Sequence, residues 1–475
     1  MSDELILDQD PENFRRAAHA AVDWIADYLE NIDARPVLSR DAPGALATRL
    51  PDGPTTEGRS FEELMGTFDD ALMPGITHWN HPAFFAYFAI TGSQAGIIGE
   101  MLSSALNVNG MLWKTSPAVT ELELIVLDRL RGLLGLPEGL FGIINDTASI
   151  NTFLALAAAR EALGFDIRQE GMTGRTLPQF RIYCSDQAHS SVEKAALALG
   201  LGAKGVRKIP SDPAFAMDAD ALALAVREDR EAGVVPCAVV ATTGTTSTAA
   251  IDPLRRIGEI ANRESMWLHV DAAYGGSATI DPRSRSMWDG VEYADSIVVN
   301  PHKWLFTPVD CSVLWTKRPE MLRETFSLIP EYLRTDSGEV INYMDYGLQL
   351  GRRFRALKLW LVLEHYGIDR LQAVIRNHIG LAKRLADELE RRDDIELLAP
   401  QSLGVVVFRA VVRDDDGKVN ETESERRNEA LLTKMNESGR LFVSHTKLRD
   451  RYGIRVAIGN GATKWEQVSR VLEFL

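Results

Sequence analysis

The stretch Ser296-Ile-Val-Val-Asn-Pro-His-Lys-Trp304 is a short β-branched run stopped by a proline and followed by a histidine and a lysine. Runs of this kind form buried strands, and open α/β sheets display functional side chains just past the carboxyl ends of such strands. Read outward from here, the chain alternates strands and helices. Upstream strands are expected at Gly142–Asn145, Arg181–Cys184, Gly205–Ile209, Cys237–Thr242 and Trp267–Val270, and one downstream at Cys311–Trp315. Helices separate most of them, including the alanine-rich Thr152–Leu163. Seven strands with helical crossovers predict an α/β fold with a mostly parallel sheet covered on both faces.

Composition narrows the class. The 475 residues exceed one small domain, and the 45% hydrophobic and 25% charged shares are ordinary for a globular protein. A formal charge of -15 argues against nucleic acid and anionic membranes as partners. Met1-Ser-Asp-Glu lacks the basic and apolar regions of a secretory leader, and no apolar run is long enough to span a bilayer. Cys184, Cys237 and Cys311 lie in or beside apolar runs, which suggests buried thiols, a reducing cytoplasmic setting and no metal site.

Asp10-Pro11 opens an amphipathic helix over Phe14–Leu29 that must pack on its own core or on another subunit. Aromatic residues then cluster at Trp79, Phe84, Phe85, Tyr87 and Phe88, and helices are expected at Ala95–Leu106 and Pro117–Leu134. Gly200-Leu-Gly-Ala-Lys-Gly205 matches a dinucleotide-binding pattern by letters. It follows a helix and precedes a strand, the reverse of that motif's order, so it reads as a turn. Pro330–Tyr343 reads as a loop, and helices are expected over Arg353–Tyr366 and Gly367–Arg391. Strands at Gly404–Phe408, Leu441–Ser444 and Gly453–Ala457, with helices at Glu423–Glu437 and Lys464–Leu475, make a smaller α/β unit.

The strand ends carry chemistry. Thr147, Ala148 and Ser149 open a helix, where free amides and hydroxyls suit an anion. His189, the turn Gly244-Thr-Thr246, the carboxylate Asp271, and then Asn300, His302 and Lys303 follow in order. A phosphate cup, an imidazole to stack on a ring, a hydroxyl, an acid for a pyridine nitrogen and an amine for an aldehyde are what pyridoxal 5′-phosphate requires.

His81-Pro-Ala-Phe-Phe-Ala-Tyr-Phe, Ser116-Pro-Ala-Val-Thr-Glu-Leu-Glu, Ser185-Asp-Gln-Ala-His-Ser-Ser, Gly244-Thr-Thr, His269-Val-Asp-Ala-Ala-Tyr, Asn300-Pro-His-Lys-Trp and Leu350-Gly-Arg-Arg-Phe-Arg together carry a resemblance. The chain resembles the group II pyridoxal-phosphate decarboxylases, in their aromatic-L-amino-acid branch. That resemblance implies fold type I (aspartate-aminotransferase-like) and a homodimer with active sites at the interface. It implies a dimer-packing helical segment over 1–95, a cofactor-binding domain over 96–375 and a small C-terminal domain over 376–475.

The same resemblance implies roles. Lys303 binds the cofactor aldehyde, Asp271 pairs with the ring nitrogen, and His189 and Ala273 cover the two ring faces. Thr147, Ala148, Ser149 and Asn300 serve the phosphate, and Thr246 lies near the pyridoxal oxygen or Asp271. His302 faces the substrate carboxylate, and Tyr332, in Pro330-Glu-Tyr-Leu, protonates the substrate carbon. Trp79, Tyr87, Phe88, Ala89, Ile90 and Gly351 belong to the substrate pocket. The implied reaction is decarboxylation of an aromatic L-amino acid to an arylalkylamine. Aldehyde synthases are the neighbouring branch, in which the loop tyrosine is typically phenylalanine or the stacking histidine is changed; here Tyr332 and His189 are both present. Two departures stand out. The cup reads Asp146-Thr-Ala-Ser-Ile-Asn151, so a carboxylate stands beside a phosphate site, and Ala89 replaces the proline of the animal enzymes.

Overall fold

The apolar runs assemble into one seven-stranded sheet in the computed structural model, which describes residues 10–50, 53, 56–328 and 340–475. Its strands are β1 (Phe141–Asn145), β2 (Phe180–Ser185), β3 (Val206–Ile209), β4 (Val235–Thr242), β5 (Trp267–Asp271), β6 (Ser296–Val299) and β7 (Ser312–Thr316). Their order is β1-β7-β6-β5-β4-β2-β3. Only β7 runs antiparallel to its neighbours, β1 and β6.

Every residue of β5 and β6 is buried, as a sheet covered on both faces demands. Alternation divides the side chains between two cores. Leu268, Val270, Ile297 and Val299 pack with Val126, Leu130 and Leu134 of the helix Pro117–Leu134. Trp267 faces the other way, toward Leu154 and Ala158 of the helix Ala148–Glu161. Each fully buried leucine or isoleucine contributes about 1.5–3 kcal/mol. The small side chains of Ala155, Ala157, Ala158 and Ala159 let that helix lie close on the sheet. It begins four residues earlier than its alanine content suggests, because Thr147 caps it by accepting from the Ile150 amide. The Gly200–Gly205 stretch is a turn: Gly200 has φ +76° and follows the helix Ser191–Ala198.

The smaller sheet comprises β8 (Ile395–Leu397), β9 (Val405–Ala410), β10 (Ser444–Leu448) and β11 (Arg451–Ala457), in the order β10-β11-β9-β8 and antiparallel throughout. Two expectations need correction. Leu441 and Val443 are buried, but Leu441–Val443 forms only one isolated bridge, Phe442 to Phe84, and the ladder starts at Ser444. The terminal helix is confined to Trp465–Ser469, followed by a 3₁₀ turn at Leu472–Phe474. One helix, Ile368–Glu390, runs through position 375 and packs against both the large-sheet unit and β8 and β9.

Residues 83–91 strap the two units together. The Phe442 amide donates to the Ala83 carbonyl, and the Phe85 amide donates to the Phe442 carbonyl. The Ala457 amide donates to the Phe85 carbonyl. At the other end of the strap, the Thr91 amide donates to the His302 carbonyl at 3.2 Å and its hydroxyl to the Lys303 carbonyl at 2.9 Å.

Candidate active site

The parallel register sets Thr242 beside Asp271 and Asp271 beside Val298, so the carboxyl ends of β4, β5 and β6 open at one level. A cavity of about 200 Å³ lies there. Thr147, Ala148, Ser149, His189, Thr246, Asp271, Ala273, Asn300, His302 and Lys303 all line it, as does Phe88. One cavity therefore gathers side chains spread over more than two hundred residues of sequence.

Backbone geometry holds the wall. Gly244 has φ +93°, and a Cβ there would come within 3.0 Å of the Gly275 amide nitrogen. Only glycine allows the turn before Thr246 to approach the loop after β5 so closely. The Ala273 amide donates to Asp271 Oδ1 at 3.1 Å, and the Asn300 amide donates to the Ala273 carbonyl at 3.1 Å. Lys303 follows directly, on the one-turn helix Pro301–Trp304.

The two histidines are held in defined tautomers. The Cys311 amide donates to His302 Nδ1 at 2.9 Å, so the ring proton sits on Nε2. Burial and the neighbouring Lys303 charge push His302 down to about 3, so the ring is neutral. His189 Nδ1 accepts from the Ser191 amide at 3.1 Å, and desolvation lowers its pKa too. Lys303 is pulled below the ordinary lysine value by burial; Asp271 opposes that shift and Arg455 adds to it.

Phe88 lies over this amine, with Lys303 Nζ 5.4 Å from its ring centroid. Its ring stacks on Tyr274 at 3.7 Å, and Tyr274 stacks on Trp304 at 4.7 Å. The Arg455 guanidinium lies over Phe88, 4.5 Å from its ring centroid, and donates to the Tyr87 and Ser247 carbonyls. Burial lowers Arg455 to about 10.

The remaining pocket residues stand apart. Trp79 and Tyr87 stack on each other at 5.8 Å and are exposed, Ala89 is buried, and Ile90 and Gly351 do not line the cavity. Tyr332 lies outside the described residues. Asp146 does not line the cavity: its carboxylate accepts from the Thr147 amide at 2.5 Å, from the Thr147 hydroxyl at 3.1 Å and from Gln349 at 3.2 Å. Leu350-Gly-Arg-Arg-Phe-Arg supplies ion pairs. Arg352 meets Glu123, Arg353 meets Glu100, and Arg355 meets Asp310.

The family model for the pyridoxal-dependent decarboxylase conserved domain matches residues 43–411. The chain belongs to the pyridoxal-dependent decarboxylases. Phenylacetaldehyde synthase of Arabidopsis thaliana is 40% identical to this decarboxylase, over 100% of this chain and 97% of its own length. Tyrosine decarboxylase 3 of Petroselinum crispum is also 40% identical, over 98% and 92%. A crystal structure of Oryza sativa TDC with PLP and tryptamine superimposes with a TM-score of 0.93 at 36% identity, covering 98% of each chain.

The decarboxylase's own residues fit the cofactor. The Thr242 hydroxyl lines the cavity region yet has no hydrogen-bond partner among the described residues, and Lys303, Asp271 and the Thr147–Ser149 helix start converge on the same space. Tyr274, Thr91 and Arg455 are site residues that pattern reading missed. Arg455 left a trace, a lone charge inside the apolar run Gly453-Ile-Arg-Val-Ala, which signals a cation with buried partners.

Proposed function

We propose that this decarboxylase acts on an aromatic L-amino acid, one of tryptophan, 5-hydroxytryptophan, tyrosine, phenylalanine or DOPA, and releases CO₂ and the arylalkylamine. The observation that carries this reading is the convergence of Lys303, Asp271, His189 and His302 on one cavity roofed by an aromatic ring, Phe88. The two relatives at 40% identity are named for aromatic substrates or products, in keeping with it.

When bound, pyridoxal 5′-phosphate supplies an electron sink for the pair released as the Cα–carboxylate bond breaks. Lys303 holds its aldehyde carbon, and the lowered pKa keeps more of the amine neutral and nucleophilic. Asp271 would hold a proton on the ring nitrogen, and His189 and Ala273, which line the same cavity, would pack against the ring. Thr147, Ala148, Ser149 and Asn300 take the phosphate, and Thr246 takes the pyridoxal oxygen or Asp271. His302 Nε2–H donates to the substrate carboxylate. Tyr332 delivers a proton to Cα. Trp79, Tyr87, Ala89, Ile90 and Gly351 wall the substrate ring only in a homodimer. Exposed apolar side chains at Ile98, Met101, Leu102, Leu106, Ile125, Leu348 and Leu350 offer the face for that association. Three buried free thiols are in keeping with a reducing cytoplasm.

The neighbouring reading is aromatic aldehyde synthesis, which the name of one relative brings into view. Retention of both His189 and Tyr332 favours the amine. A CO₂-release panel over the five amino acids, with histidine and glutamate as controls and product identification, tests both readings. Amine equal to CO₂ is expected; aldehyde with peroxide would select the synthase reading, and no CO₂ from any aromatic substrate would sink the first.

A further inference from the structure

The cup's unusual Asn151 belongs to a one-way chain of buried hydrogen bonds. Asn145, at the end of β1, and Ser312, at the start of β7, face each other across the two strands. Asn145 Nδ2 donates to Asn151 Oδ1 at 2.6 Å. Asn151 Nδ2 donates to Ser312 Oγ at 2.8 Å. Ser312 Oγ then donates to Asn300 Oδ1 at 2.5 Å. All four side chains are buried.

Direction is the informative part. A primary amide can sit either way round, and the structure sets all three amides of this chain in one sense, from Asn145 toward Asn300. Asn151 spends its oxygen on Asn145 and offers its NH₂ to Ser312. The serine has one proton and must give it to Asn300. The Asn300 oxygen is thereby used inside the protein, which leaves its NH₂ as the group that can meet the cavity it shares with Thr147, Ala148 and Ser149.

We propose that Asn151 is a positioning residue which, through Ser312, orients Asn300 so that a donor faces the phosphate of the cofactor. The inference rests on the pyridoxal 5′-phosphate reading above. It assigns to one side chain the task of making the helix start and the Lys303 turn present matching donors to one anion. Without the NH₂ of Asn151, the Ser312 hydroxyl is free to turn, and Asn300 can present its oxygen to the anion instead.

The test compares apoprotein of wild type, Asn151→Leu and Ser312→Ala, titrated with pyridoxal 5′-phosphate and, separately, with pyridoxal, which lacks the phosphate. Asn151→Leu keeps the volume and removes both polar ends. Ser312→Ala breaks the same chain with a smaller change, and it carries the test if the first variant does not fold. Each variant is expected to bind pyridoxal 5′-phosphate about tenfold more weakly, the order of one hydrogen bond to an anionic group. Pyridoxal affinity should stay within about twofold of wild type. Variants that lose affinity for both ligands equally, or for neither, would overturn the positioning role alone. A wild-type apoprotein that takes up no pyridoxal 5′-phosphate would overturn the cofactor reading and this inference with it.

Discussion

His302 Nδ1 accepts the Cys311 amide proton at 2.9 Å, so the imidazole is a fixed Nε2–H donor at the cavity. With its pKa pushed down to about 3, it does not gain a charge anywhere in the working range. His302→Leu is expected to lower kcat/KM by about tenfold to a hundredfold, the value of a hydrogen bond to a charged group. His302→Gln, which keeps a donor, should recover part of the loss. Steady-state kinetics check both. A pH profile that loses a group near neutrality in His302→Leu would contradict the neutral assignment.

Burial lowers Lys303 below the ordinary lysine value, Asp271 opposes the shift, and the Arg455 charge adds to it. The neutral amine is the form that attacks an aldehyde, so cofactor uptake should rise with pH and reach half its maximum below the ordinary lysine value of about 10.4. Arg455→Met removes the cation, raises the Lys303 pKa and should move that midpoint to higher pH. Stopped-flow absorbance near ~420 nm on apoprotein reads the shift, and borohydride reduction should fix the label on Lys303.

Glu123 and Arg352 form a buried pair at 2.6 Å, and the Ile144 amide and carbonyl complete the arrangement. Removing one partner strands the other. Arg352→Leu should cost about 3–5 kcal/mol, seen as a lower urea midpoint at unchanged slope.

Asp252 bridges the Met217 and Thr242 amides while wholly buried, and burial raises its carboxyl to about 7. A raised acid contributes stability that is fully present below its unfolded pKa near 3.8 and is lost as pH rises through about 7. The difference in unfolding free energy between wild type and Asp252→Asn should therefore slope against pH by up to about 1.4 kcal/mol per unit over that window. A flat difference would refute the assignment.

Tyr332→Phe should divert turnover from amine to aldehyde, ammonia and peroxide, with dioxygen consumed. Oxygen-electrode traces beside amine quantification check it; unchanged amine yield with no oxygen uptake would remove Tyr332 from the proton-transfer role.

The large sheet was legible because strands buried on both faces are apolar throughout, and the polar residues that follow them fall at one edge. Lys303, Asp271, His189 and the Thr147–Ser149 turn could be placed in one site from that rule. The small sheet was harder. Ile395–Leu397 is a short edge strand of half-buried residues with no alternation to read, and Leu441–Val443 has the composition of a strand but only one bridge partner. Arg455 and Tyr87 meet across 368 positions, and Gln349 donates to Asp146 from 203 positions away. Local pattern carries no information about contacts at that range.

The strap over residues 83–91 also fixes an order of assembly. Its partners at Phe442 and, on β11, at Arg455 and Ala457 are made more than 130 residues after the lysine turn it holds. Loop closure over such a span is a late event in folding. A growing chain can therefore complete its large sheet, yet it gains the roof over Lys303 only when synthesis has passed residue 457. Cofactor retention should accordingly report whether β11 has docked against the strap.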